Sequence, residues 1–172
     1  MFQVGDYVIY GNNGVCRIEN VGPMEMMDMP KERLYYTLAP VSSNAGKIFT
    51  PVDNAKVVIR AVITREEAQK LIDDIKDIEE LWIADERRRE NVYKEAMAKC
   101  DLREFVKIIK TIYLRKQSRI AAGKKLTAAD ERYFHMAEES LYGELAIPLE
   151  MEKEEVKKYV GAKVKEKETV KA

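Results

Sequence analysis

The sequence predicts an α+β chain in two parts, a small all-β barrel followed by an all-α domain. Two observations carry this expectation. Up to about residue 63 the apolar residues alternate or break at Gly and Pro, and beyond it they recur at helical spacing. The helix-start pairs Thr64 with Glu67, Asp101 with Glu104 and Thr127 with Asp130 all fall in the second part.

Five short β-branched or aromatic runs make the first part: 6–10, 15–21, 33–41, 47–51 and 56–60. The turn residues "GNNG" (Gly11 to Gly14) and "SSNAG" (Ser42 to Gly46) separate strands. Strands this short cover one another's apolar faces only by curling strongly, so an SH3-like or Tudor-like barrel is predicted for residues 1–63. Such a barrel is expected to keep a gap, with one strand edge open to a partner strand.

The helical domain is expected over 64–160. Its first helix opens at Thr64 and places Ala68, Leu71, Ile72, Ile75 and Ile78 on one face. A second is expected from Trp82 to Lys99 with a thin apolar face of Val92, Ala96 and Met97. A third opens at Asp101, turns Leu102, Phe105, Val106, Ile109, Ile112 and Tyr113 inward, and ends at Gly123. The fourth opens at Thr127, carries Tyr133, Phe134, Ala137, Leu141 and Leu145, and stops at Pro148. A short helix near 151–160 precedes an expected disordered tail, 161–172.

With 172 residues, 46% of them hydrophobic, the chain can bury two modest cores. It carries neither an apolar run of membrane-spanning length nor a signal-like start, which predicts a cytoplasmic protein with no membrane contact. Cys16 and Cys100 match no metal spacing and are expected as buried thiols. No nucleophile elbow, phosphate loop or dinucleotide loop is present, and the single His135 has no partnered nucleophile. An enzyme is not expected, nor a cofactor or metal.

The net charge of zero conceals opposite segments. Residues 64–86 hold 3 Lys and Arg against 9 Asp and Glu, whereas residues 87–125 hold 13 against 4. A local excess of that size makes a strong positive field. It has two readings: solvated faces salt-bridged to acidic neighbours, or a surface that meets phosphates. For the second, Arg87, Arg88, Arg89 and Lys94 would join Arg115, Lys116, Arg119, Lys124 and Lys125. No recognition-helix or zinc-finger pattern accompanies them, so binding would run through backbone charge and groove shape. The only tryptophan, Trp82, stands just before this cluster. It is either a core anchor with Leu81 or an apolar wedge for a base step in the minor groove.

"FQVGDYVIYGNNGVCRI" at the start resembles the opening of the CarD/CdnL family of bacterial transcription regulators, whose first module is shared with the transcription-repair coupling factor. The stretch from "ERRRENVYKEAMAKCDLREF" to "LYGELAIPL" is similar to that family's helical domain. The resemblance implies a non-enzymatic, nucleoid-associated protein. Its Tudor-like domain would dock on the RNA polymerase β subunit, and its helical domain would contact promoter duplex DNA, stabilising the open complex with a Trp wedge. It also implies docking positions near Met24 and the stretch Lys47, Ile48 and Phe49. In many members the Trp lies two residues before the basic pair, whereas "IADE" separates Trp82 from Arg87 here. One added helical turn would keep the Trp within about 40° of the same face. "MEMMDM" (Met24 to Met29) is either a pliable contact surface or loop filler. The expectation is a monomeric regulator bridging RNA polymerase β and promoter DNA. The alternatives are an RNA- or ribosome-associated module and a protein–protein adaptor that never touches nucleic acid.

Overall fold

The computed structural model describes residues 1–25, 28 and 30–170, with backbone alone for 166–170. The chain divides into two compact units, Met1–Val62 and Ile63–Ala172.

In the first unit, β1 (Tyr7–Tyr10), β2 (Val15–Pro23), β3 (Leu34–Pro40), β4 (Ile48–Pro51) and β5 (Ile59–Ala61) form one antiparallel sheet in the order β4-β3-β2-β1-β5. Val8, Tyr10, Cys16, Ile18, Tyr36 and Leu38 make its core. The inward set is kept by period-two alternation, with one slip. Ile18 faces Leu38 but Asn20 faces Thr37, so Glu19 is bulged out of the ladder. The β1–β2 reversal needs left-handed backbone at Gly11 (φ 49°) and Gly14 (φ 68°). Gly11 also has no room for a side chain, since a Cβ there would meet Val57 Cγ1 at 2.8 Å.

In the second unit, α1 (Arg65–Asp74), α2 (Arg89–Ala98), α3 (Leu102–Ala121), α4 (Ala128–Leu149) and α5 (Lys153–Val170) enclose one apolar core. Thr64 with Glu67 and Thr127 with Asp130 form complete capping boxes at α1 and α4. Asp101 caps α3 through the Arg103 N–H, but Glu104 does not return the bond and instead takes Lys107 and Lys99. At the other end of α3, Gly123 (φ 74°) donates to the Ile120 carbonyl at 3.0 Å and Lys124 to that of Arg119 at 2.7 Å. That pair of bonds is a Schellman closure.

Four expectations are corrected. Residues 82–85 are not helical: a short 3-10 turn at Glu86–Arg88 leads into α2, because Asp85 caps the turn by accepting from the Arg87 N–H at 3.0 Å. Tyr113 is 53% exposed, and Ile108 is fully buried in the stripe expected for it. Pro148 does not stop α4, which runs one residue further to Leu149 and is capped by Glu150 (φ 52°). Residues 161–170 continue α5 instead of fraying. Val160 and Val164 reach the helical core, Lys163 lies 5.8 Å from the Tyr159 ring centre, and Lys, Glu and Ala favour the helix. The tail's last two residues lie outside the described range, as do Met26, Met27 and Met29 of the methionine turn. Cys16 and Cys100 are buried thiols in no disulfide among the described residues, and burial pushes the Cys16 thiol up to about 11. Among the described residues no helix is long and apolar enough to cross a membrane.

Candidate functional site

Two surfaces carry the expected site residues, one in each unit. In the first, β4 pairs with β3 alone among the described residues, so one row of its backbone N–H and C=O groups lies at an edge. Phe49 faces out from this edge strand opposite Thr37 and is 52% exposed, whereas its neighbour Thr50 turns inward and is buried. Lys47 precedes the strand and pairs with the bulged Glu19 at 2.9 Å. Ile48 is half-buried against the core. Met24 is not brought to this group. It follows Pro23, whose partner is Leu34, and so stands at the end of the sheet away from the Ile48–Leu38 pair. An aromatic ring beside an open strand edge is suited to adding a partner's strand, with the ring as anchor.

In the second unit, the segment between α1 and α2 straps along α3. The Lys110 ammonium donates to the Ile78 carbonyl at 2.6 Å, and the Leu81 N–H donates to the Thr111 hydroxyl at 2.9 Å. Leu81 and Ile83 pack on the helical core. Trp82 between them is therefore turned away, and it is 84% exposed. Of the two readings of this tryptophan, the inward position belongs to Leu81 and Ile83.

The strap is then pinned by a clasp of charged groups. Arg89 grips Glu86 with two bonds, 2.8 and 2.6 Å, and donates to the Tyr93 hydroxyl at 3.0 Å. Tyr93 in turn donates to Asp130 at 2.9 Å. Arg115 donates to Asp130 at 2.9 Å and reaches Glu86 at 3.3 Å. Asp130 and Tyr93 have no solvent exposure, so the clasp joins α2, α3 and α4 through a buried centre, with Glu86 at its exposed rim. Burial would raise the Asp130 carboxyl, but hydrogen bonds from Arg115, Tyr93 and Thr127 outweigh it and hold it below the usual carboxylate range. The Arg89 hydrogen bonds likewise lower Glu86.

A pH dependence follows. A depressed folded-state value stabilises the fold above the unfolded carboxylate range, about pH 4, and the benefit is lost as pH falls through the folded value. The second unit should therefore lose stability in acid below about pH 4. Asp130→Asn should flatten that loss in a melting series against pH, and an unchanged acid profile would contradict the role given to Asp130.

The clasp separates the basic residues into two kinds. Arg89 and Arg115, expected to face phosphates, are committed to Glu86 and Asp130. The first half of α3 behaves the same way, with Arg103 on Asp74 and Lys107 on Glu104. Arg119 is half-buried and donates to the Lys125 carbonyl at 2.6 Å. Arg87, Arg88, Lys94, Lys116, Lys124 and Lys125 are exposed and make no ion pair among the described residues. Five of these cations adjoin the clasp or the α4 cap in sequence. Arg87 and Arg88 stand between Glu86 and Arg89, Lys116 follows Arg115, and Lys124 and Lys125 lead into the α4 cap. Trp82 projects from the strap that enters the same clasp.

Sequence reasoning missed Glu86, Tyr93 and Asp130 as the framework of this face. The spacing of Glu86 and Arg89 by three was a local signal, but the meeting of Arg115 with Asp130 is tertiary. Against models of known families, residues 2–63 match the one described as CarD-like/TRCF RID domain.

Proposed function

We propose, on the premise that residues 2–63 of this chain belong to the CarD-like/TRCF RID domain family, that it is a non-enzymatic regulator of transcription initiation acting in the cytoplasm. In this reading the first unit, a Tudor-like module, docks on the RNA polymerase β subunit through the β4 edge with Phe49, Ile48 and Lys47. The helical unit meets promoter duplex DNA, backbone to cation, through Arg87, Arg88, Lys94, Lys116, Lys124 and Lys125. Trp82 enters the minor groove at the upstream edge of the melted bubble and stabilises the open complex.

The observation that carries the reading is the placing of Trp82. A large apolar side chain 84% exposed costs solubility without helping the core, and here it is held outward by a pinned strap that runs on in sequence to the exposed Arg87 and Arg88. Apolar wedges between base steps are what such a presentation suits. The absence of a base-reading motif agrees with shape and backbone recognition.

Two measurements test it. Phe49→Ala and Lys47→Glu should weaken capture of the β subunit by the full chain without lowering its melting temperature, since both side chains are exposed. Arg87→Glu with Arg88→Glu should weaken duplex DNA binding on all sequences alike and flatten its salt dependence by about two counterions. A wild-type chain that captures polymerase but shows no duplex affinity at low salt would turn the reading towards a protein adaptor.

A further inference from the structure

We propose that the cleft between the C-terminal half of α3 and the first turns of α4 takes an unpaired nucleotide of single-stranded DNA, a mode of contact that rests on the nucleic-acid reading above. The cleft holds about 330 Å³, and Tyr113, Lys116, Ile120, Lys125, Glu131 and Phe134 are among the residues lining it. That volume is at the small end of ligand pockets, roughly 300–1,000 Å³.

Tyr113, Lys116 and Ile120 fall on one face of α3, spaced by three and four. Tyr113 and Ile120 are 53% and 61% exposed, so their apolar surface is not used by the core. Lysines stand among these rings. Aromatic surfaces interleaved with cations are what single-stranded nucleic acid requires, because every base offers a π-face to stack and every linkage a phosphate to neutralise.

Glu131 decides between occupants. An acidic peptide and a nucleotide phosphate alike suit Lys116 and Lys125 and oppose Glu131, so what separates them is the partner each offers that carboxylate. A base gives it one, because a carboxylate accepts and exocyclic amines donate. Guanine presents two adjacent donors, a ring N–H and an amino group, which match the two carboxylate oxygens. Thymine presents one N–H flanked by two carbonyls, which would face the carboxylate's own lone pairs. The cleft should therefore prefer guanine to thymine.

The test uses the full chain with two short labelled oligodeoxynucleotides, one of thymidines alone and one with guanines placed in the same background, and a duplex as reference. Wild type should bind the guanine-containing strand more tightly. Tyr113→Ala should weaken single-strand binding by about tenfold and leave duplex binding unchanged. Its melting temperature should hold, because the ring is half in solvent. Glu131→Gln should remove the guanine preference. Tyr113→Ala with unaltered single-strand affinity would overturn the proposal, as would a guanine preference that survives Glu131→Gln. Weaker polymerase capture by Tyr113→Ala with oligonucleotide binding intact would also overturn it, in favour of a protein segment as occupant. Loss of duplex binding by wild type would instead undo the DNA reading itself, so the two failures are distinguishable.

Discussion

Trp82→Ala is expected to change the stability of the free protein by no more than about 0.5 kcal/mol, while shortening the life of a polymerase–promoter open complex about tenfold or more. The two halves of this expectation have separate causes. A buried aromatic of this size would cost roughly 3–5 kcal/mol on truncation. Trp82 is 84% exposed, however, and its neighbours Leu81 and Ile83 supply the strap's contact with the core. An apolar side chain at a base step offsets part of an unstacking cost of a few kcal/mol, and 1.4 kcal/mol is already about tenfold in an equilibrium. Thermal melting of the variant, read beside open-complex decay, checks both halves. A large fall in melting temperature with an unchanged decay would return this tryptophan to the core.

Asp130→Ala should be the most damaging single change in the helical unit, at roughly 3–5 kcal/mol, the usual result of removing one member of a buried charged pair. It would strip Arg115 of its buried partner, leave the fully buried Tyr93 hydroxyl without its acceptor, and open the capping box with Thr127. Arg132→Ala offers the contrast on the same helix. Its pair with Glu90 is exposed on both sides, and exposed pairs are worth about 0–1 kcal/mol. Chemical denaturation of the two variants should therefore separate them clearly. A small effect of Asp130→Ala would mean that the clasp does not hold α2, α3 and α4 together.

Most of the architecture was legible because its signals are local. The capping boxes at Thr64 and Thr127 and the glycines of "GNNG" and Gly123 each depend on a few neighbouring residues, and each lies where its pattern put it. Propensity favours a helix from Trp82 onward, whereas α2 starts only at Arg89. The strap is instead fixed from outside by Thr111 and Lys110, roughly thirty residues on in sequence. The basic cluster was legible as composition but not as a site. Composition alone does not separate Arg89 from Arg88, yet Glu86 and Tyr93, three residues before and four after, claim the one and solvent keeps the other. On the sheet, an open edge was expected. The position of Met24 at the far end from Lys47 follows only from the register of β2, β3 and β4.

The claim that one chain acts on polymerase and promoter together is tested most directly by the lifetime of open complexes formed with the full chain and with two altered chains. One carries Phe49→Ala with Lys47→Glu in the first unit, and the other carries Arg87→Glu with Arg88→Glu in the second. Wild type should lengthen the lifetime, and each altered chain should lose that effect although its other unit is untouched. If wild type leaves the lifetime unchanged, or if either altered chain stabilises the complex as well as wild type, the bridging function is contradicted.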